Sequence, residues 1–347
     1  MNSKWIASCL AATLLLGSAL ACRFSGNPTP TVGAEGAATA VAATLTAVAA
    51  AAPSVTPTLP EATAAPSFTP APTAILSVAY VDGERNLWLW QPGATPVRLV
   101  DSGDVADLRL SPDGSQVAYL RSPDYVNESL WLVRSDGSDR RELVSTADFH
   151  SMNTYPEAIG ATAHQFEWIP GANRLAFNTR PIFEGLGLEL HDDLWQVDVA
   201  TGAHTPLLAP GSGGMFYYAP DGSQIALVTP EQISLVNADG SNRREAVLSY
   251  DPVITYSEYR YYPQPQWSPD GAFLRVVVPP ADPLAEPLQA MNVWHIPANG
   301  ATATHLAGIT AAPFSVFGLS PDLNRIAYLQ QVGAPQDNTH ALHIALA

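Results

Sequence analysis

Two stretches read almost alike: "SPDGSQVAYL" at residues 111–120 and "APDGSQIALV" at 219–228. Proline presets the first dihedral of a tight turn, and serine and aspartate bond the local backbone. Glycine then takes the left-handed position at which the chain reverses. The apolar run that follows suits a strand buried inside stacked sheets. "IPGANRLAFN", "SPDGAFLRVV" and "SPDLNRIAYL" are further copies, with the five prolines at 112, 170, 220, 269 and 321. Steps of 58, 50, 49 and 52 residues between them match a repeat built as one four-stranded unit with loop insertions.

A second phrase follows each copy: "LWLVRSDGSDRREL", "LWQVDVATGAHTPL", "ISLVNADGSNRREA", "VWHIPANGATATHL" and "LHIALA". Asp-Gly and Asn-Gly in these phrases supply the positive dihedrals of hairpin turns. An earlier copy, "LWLWQPGATPVRL", starts at Leu87 and is preceded by "SVAYVDG", which makes six units. Each reads as strands a to d. In the second unit, strand a ends at Ser-Pro-Asp-Gly, "VAYL" is strand b, "LWLV" strand c and "RREL" strand d.

The Ser-Pro-Asp-Gly phrase followed by Leu-Trp and a glycine turn resembles the WD40-like repeat of TolB-type β-propellers, over about residues 76–347. The resemblance implies an all-β fold: six blades of four-stranded antiparallel sheets. It does not extend to a separate α/β domain, so TolB's place in an envelope-spanning complex does not follow. The turns "IPGA" and "SPDL" depart from the repeat. The first unit lacks an evident strand a and the last an evident strand d, and residues 65–76 are candidates to help close the ring.

The N-terminus has a different composition. Lys4, the only lysine, precedes an apolar run from Trp5 to Ala21 that ends in small residues, the pattern of an export signal. Ala19-Leu20-Ala21 fits ordinary cleavage. "ALAC" also resembles the bacterial lipoprotein box, with Ala19 where that pattern prefers leucine, and the resemblance implies lipidation of Cys22. Cys9 would leave with the signal, so Cys22 would be the single cysteine of the exported chain, and acylation would remove an exposed thiol. The expected organisation is a signal at 1–21, a tether at 22–74 and the propeller at 75–347. The tether, rich in Pro, Thr and Ala, buries too little apolar surface to fold and would reach up to roughly 150 Å. The expected location is the envelope, outside the cytoplasm, with the membrane reached through the lipid.

Acidic residues outnumber basic ones 32 to 16, for a formal net charge of −16. Such a surface repels phosphate backbones, so nucleic acid is excluded as a partner. The longest connections, at 121–129, 145–165, 178–193, 249–265, 279–291 and 331–340, are all b–c or d–a loops. A meander places those loops on one face, which is the expected binding face.

On that face "YDPVITYSEYRYYPQPQW" (250–267) supplies Tyr256, Tyr259, Arg260, Tyr261 and Tyr262, residue types that dominate interface hot spots. "FEGLGLELHDDLW" (183–195) adds Glu184, His191 and Asp192. Nothing in its spacing makes these groups converge on a metal, and Asp193 reads as the start of strand c. No catalytic signature appears: "GSGG" at 211–214 is not a nucleophile elbow, and there is no zinc-protease helix, P-loop or dinucleotide fingerprint. No cofactor is expected. The sequence therefore points to a binding or scaffold module for an extracytoplasmic protein, peptide or glycan. The alternative is a small-molecule binder or enzyme at the mouth of the central channel, which clustered carboxyls of raised pKa would favour.

Overall fold

The computed structural model describes residues 76–185, 189–312, 317–332 and 339–347. Six antiparallel sheets follow one another along the chain. Sheet 1 holds β1 (Val78–Val81), β2 (Leu87–Trp90) and β3 (Val97–Val100). Sheet 2 holds β4 (Val105–Leu110), β5 (Gln116–Arg121), β6 (Ser129–Arg134) and β7 (Arg141–Val144). Helix α1 (Thr146–Ser151) leads to sheet 3, formed by β8 (Gly160–Trp168), β9 (Arg174–Ile182), β10 (Leu194–Asp198) and β11 (His204–Leu208). Sheet 4 is β12 (Met215–Tyr218), β13 (Gln224–Val228), β14 (Gln232–Asn237) and β15 (Arg244–Ser249). Sheet 5 is β16 (Gln266–Trp267), β17 (Phe273–Val278), β18 (Met291–Pro297) and β19 (Thr304–Ile309). Sheet 6 is β20 (Phe317–Leu319), β21 (Arg325–Gln331) and β22 (His340–Leu346).

Strands pair in sequence order, so each sheet is a meander. Sheets 2 to 5 have four strands. Among the described residues, sheet 1 lacks its strand a and sheet 6 its strand d, as the repeat pattern anticipated. The proposed signal, Cys22 and the tether lie outside the described residues.

Why the b strands are apolar throughout is clear from the packing. In β13, Ile225 and Leu227 join the core shared with sheet 3, while Ala226 and Val228 join the core shared with sheet 5. In β5, Val117 and Tyr119 face sheet 1, whereas Ala118 and Leu120 face sheet 3. Five such cores lie between the six consecutive sheets. A strand sandwiched on both sides must be apolar at both parities, since each buried aliphatic side chain contributes about 1.5–3 kcal/mol.

The five a–b turns, 111–115, 169–173, 219–223, 268–272 and 320–324, are equal in length and built alike. Ser111 Oγ donates to Asp113 at 2.6 Å and accepts from Gln116 N at 3.0 Å, and the Gly114 N–H closes on the Ser111 carbonyl at 2.8 Å. The Ser268 and Ser320 hydroxyls repeat the pattern with Asp270 and Asp322. Innermost strands are tied across sheets. Gln165 Nε2 donates to the Phe216 carbonyl at 2.8 Å, and its Oε1 accepts from Phe216 N at 3.1 Å. The Trp168 indole donates to the Arg109 carbonyl, and the Trp267 indole to that of Tyr217.

Two segments depart from the expected loops. Residues 160–165 and 178–182 belong to β8 and β9, not to insertions. Their polar groups read as loop residues but are matched inside the fold: Asn178 Oδ1 accepts from Gln165 N, and its Nδ2 donates to the Gly214 carbonyl, both at 2.8 Å. Helix α1 was not anticipated either. Ser145 caps it in a capping box with Asp148.

Candidate functional site

Among the described residues the long connections join strand b to c or strand d to a, which a meander places on one face. Three loops meet there: the d–a loop 250–265 between sheets 4 and 5, the b–c loop 183–193 of sheet 3, and the d–a loop 145–159 that carries α1. The first is fixed at both ends of its reach. The Tyr250 hydroxyl donates to the Thr229 carbonyl at 2.7 Å, and Tyr250 N to the Glu231 carbonyl at 2.9 Å. Farther along, Ile254 N donates to the Ala281 carbonyl at 2.8 Å, and the Tyr256 hydroxyl to Asp282 Oδ1 at 2.7 Å. Tyr256 holds a positive φ of 56°.

This loop forms a cleft of about 550 Å³ lined by Tyr256, Tyr259, Arg260 and Tyr261 together with Pro230, Glu231 and Pro252. Tyr256 and Tyr259 stay 60% and 48% exposed, so their rings are free to meet a partner. Tyr261 is half-buried, and burial pushes its hydroxyl up to about 12. Tyr262 and Tyr250 pack against the core between sheets 4 and 5 and act as its cap. The tyrosine run is thus divided between a cap and an open wall.

Arg260 joins this loop to the next. Its Nη2 lies 3.4 Å from Glu189 Oε1, a pair of half-open side chains that links positions 71 apart. Beside it is a smaller cleft of about 70 Å³, lined by Tyr155, Glu189, Leu190, Asp192, Arg260 and Tyr262. Burial pushes the Asp192 carboxyl up to about 6, against the pull of Arg260, and its Oδ1 is shielded from solvent without a hydrogen-bond partner. Asp192 also has a positive φ of 48°.

The structure places His191 under the rim, not on it. Its ring is 3% exposed, with Nδ1 2.6 Å from Thr179 Oγ1 and Nε2 3.2 Å from Asn153 Oδ1. Tyr155 covers it, with ring centroids 5.4 Å apart. Asp193, fully buried, accepts from Thr179 N at 2.8 Å, Thr179 Oγ1 at 2.6 Å and the Trp195 indole at 2.8 Å. Glu184 is exposed and does not line either cleft. Among the described residues, no group of three or more His, Cys, Asp or Glu side chains is arranged to hold a metal ion.

A second cluster follows the innermost strands. Arg109 of β4 donates to Glu167 of β8 at 2.6 Å and to Asp107 at 2.8 Å. Burial still outweighs the arginine and raises the Glu167 carboxyl. Burial pushes Glu128 up to about 7, opposed by Arg180, and Glu128 Oε2 has no partner. His164 keeps an open edge but is surrounded by protein, and this burial, with Arg180, pushes it down to about 4. These groups come from four separate segments: β8 and β9, which carry His164 and Arg180, pair within sheet 3, and the packing of sheet 2 beside it brings in Arg109 and Glu128.

No protein-family model matches the chain, and no curated protein matches it. Solved structures do. The oligogalacturonate lyase of Vibrio parahaemolyticus superposes with a TM-score of 0.53 at 16% identity, over 79% of this chain and 72% of that one. Oligogalacturonate lyase in complex with manganese gives 0.51 at 16%, over 75% and 67%. TolB from Acinetobacter baumannii gives 0.42 at 17%, over 78% of this chain and 61% of TolB. The chain is a β-propeller. At these identities the likeness is one of fold, and propellers carry unrelated activities, so function must come from the site.

Proposed function

We propose that the protein is an envelope-anchored binding module, exported and held by a lipid on Cys22, whose long-loop face takes an extracytoplasmic protein, peptide or glycan. The supporting observation is the open tyrosine wall of the 550 Å³ cleft, on the face where the connections of sheets 3, 4 and 5 meet. Exposed tyrosines beside an arginine bring large contact area at low entropic cost. The anchored loop offers them already in place, which lowers the cost of binding.

The test is capture of defined peptide and glycan arrays by the full chain in detergent. Tyr259→Ala and Tyr256→Ala should each weaken capture about tenfold, equivalent to about 1.4 kcal/mol. Capture indifferent to both changes would overturn the reading. The anchor is tested separately: labelled palmitate should enter the wild-type protein in a bacterial host and not the Cys22→Ser variant.

A second reading has its own support. Glu128 and Glu167 are carboxyls of raised pKa, the pattern that favours a small-molecule site or an enzyme. It predicts that Glu128→Gln abolishes binding or turnover of a small ligand and leaves capture at the tyrosine cleft unchanged.

A further inference from the structure

The two clefts on the long-loop face share Arg260, and Glu231 of the larger one acts electrostatically on Asp192 of the smaller. Taken together they form one composite groove with two kinds of wall. The larger part has Pro230, Pro252 and Ile254 beside its tyrosines, a lining suited to apolar side chains of an extended chain. The smaller part is the size of a single side-chain head and has Tyr155 and Tyr262 among its lining residues. Glu189, Asp192, Glu231 and Glu258 line the groove against a single cation, Arg260. That excess of negative charge is matched by a positively charged occupant.

Resting on the reading that this face binds a partner, we propose that the groove takes an extended basic peptide and that one lysine or arginine side chain of it sits in the small cleft. Three features of that cleft support a cationic head group. Its lining is almost wholly polar, and the oxygens of Tyr155, Glu189 and Asp192 suit an ammonium or guanidinium. Asp192 lines the cleft, and its Oδ1 has no hydrogen-bond partner, so its charge is poorly compensated inside the protein and favours a cation nearby. Glu189 is held by its exposed pair with Arg260 at 3.4 Å and by the Tyr155 hydroxyl, surface contacts of small worth that can exchange for the incoming cation. A glycan would lack the ammonium or guanidinium that this charge pattern favours.

The experiment uses the full chain and four twelve-residue peptides that differ only at a central lysine, arginine, norleucine or glutamate. Lysine and arginine peptides should bind at least tenfold tighter than the norleucine peptide, and the glutamate peptide weakest. In Asp192→Asn and Glu189→Gln the preference should fall to within twofold. Neither change removes an internal hydrogen bond from the fold's core, so melting should not drop. Tyr259→Ala should weaken all four peptides alike. Calorimetry at pH 6 adds an independent readout. Seating a cation against Asp192 should release protons, and Asp192→Asn should abolish that release. Glu189, Glu231, Asp193 and Arg260 also act on this carboxyl.

Equal affinity for lysine and norleucine peptides, with Tyr259→Ala still harmful, would overturn the basic subsite and leave the binding face standing. A preference that survives Asp192→Asn and Glu189→Gln would do the same. Capture of glycans with no peptide binding would overturn the peptide assignment. Binding indifferent to Tyr256 and Tyr259 would overturn the face itself.

Discussion

Asp193→Ala offers the sharpest test of how the rim is held. The carboxylate accepts three hydrogen bonds in the interior, from Thr179 N, Thr179 Oγ1 and the Trp195 indole. The threonine hydroxyl has a second partner at 2.6 Å in His191 Nδ1 and can turn to it. The Thr179 amide and the indole N–H cannot. A buried donor left without a partner costs about 1–3 kcal/mol, so two stranded donors cost roughly 2–6 kcal/mol. For a chain of this size each kcal/mol lowers the melting temperature by about 2–4 °C, which puts the expected drop near 10 °C. Urea unfolding should show the midpoint falling with little change in slope. Asp193→Asn keeps one acceptor oxygen and should lose about half as much. Peptide capture should weaken with stability, because Asp193 holds the loop that carries Glu189 and Asp192. A loss below about 1 kcal/mol in the alanine variant would refute the reasoning.

Three further outcomes follow from the same geometry. Gly222 has a φ of +72°, and an added Cβ would lie 2.5 Å from the Pro170 carbonyl oxygen of the neighbouring sheet. Gly171 has the same φ with open space around it. Gly171→Ala should therefore cost only the left-handed strain of about 1–2 kcal/mol, and Gly222→Ala clearly more, by calorimetry. Asp192 and Glu128 have folded pKa values raised to about 6 and about 7. Their contribution is present below the unfolded value near 4 and is lost as pH rises through those values. Asp192→Asn and Glu128→Gln should accordingly stabilise the protein at pH 8 and not at pH 4. His164 runs the other way: its contribution is present above about 6.5 and is lost as pH falls through about 4. His164→Gln should flatten the acid limb of the stability profile.

The repeat was legible because its physics is local. Proline, aspartate and glycine sit where one turn needs them, and an apolar strand follows because both of its faces are covered. Even the strands that sheets 1 and 6 lack among the described residues could be read. The site was legible only in its ingredients. Arg260 and Glu189 stand 71 residues apart, and nothing short of the ring predicts that they touch. Glu128 and Arg180, 52 residues apart, likewise act on each other only because sheets 2 and 3 pack together. His191 looked like a rim residue because its neighbours are acidic, yet Thr179 and Asn153 draw it inside. Helix α1 did carry a signal, Ser145 three residues before Asp148, which a search for strand patterns passes over.

The ends of the propeller differ physically from its middle. Each inner sheet is covered on both faces, but among the described residues sheets 1 and 6 each share a core with one neighbour only. In β22, Leu342, Ile344 and Leu346 are 69%, 68% and 79% exposed, while the opposite parity faces sheet 5. In β1, Val78 and Tyr80 point away from the core that Ala79 and Val81 join. A strand with one packed face and an unpaired edge opens at lower free energy than one packed twice. Amide exchange should reflect this. β13 and β17 should exchange only through global unfolding, whereas β1 and β22 should exchange at least a hundredfold faster, about 2.7 kcal/mol lower in opening free energy. Protection in β22 equal to that in β13 would mean that its second face is covered in solution, and the one-neighbour account of sheet 6 would fall.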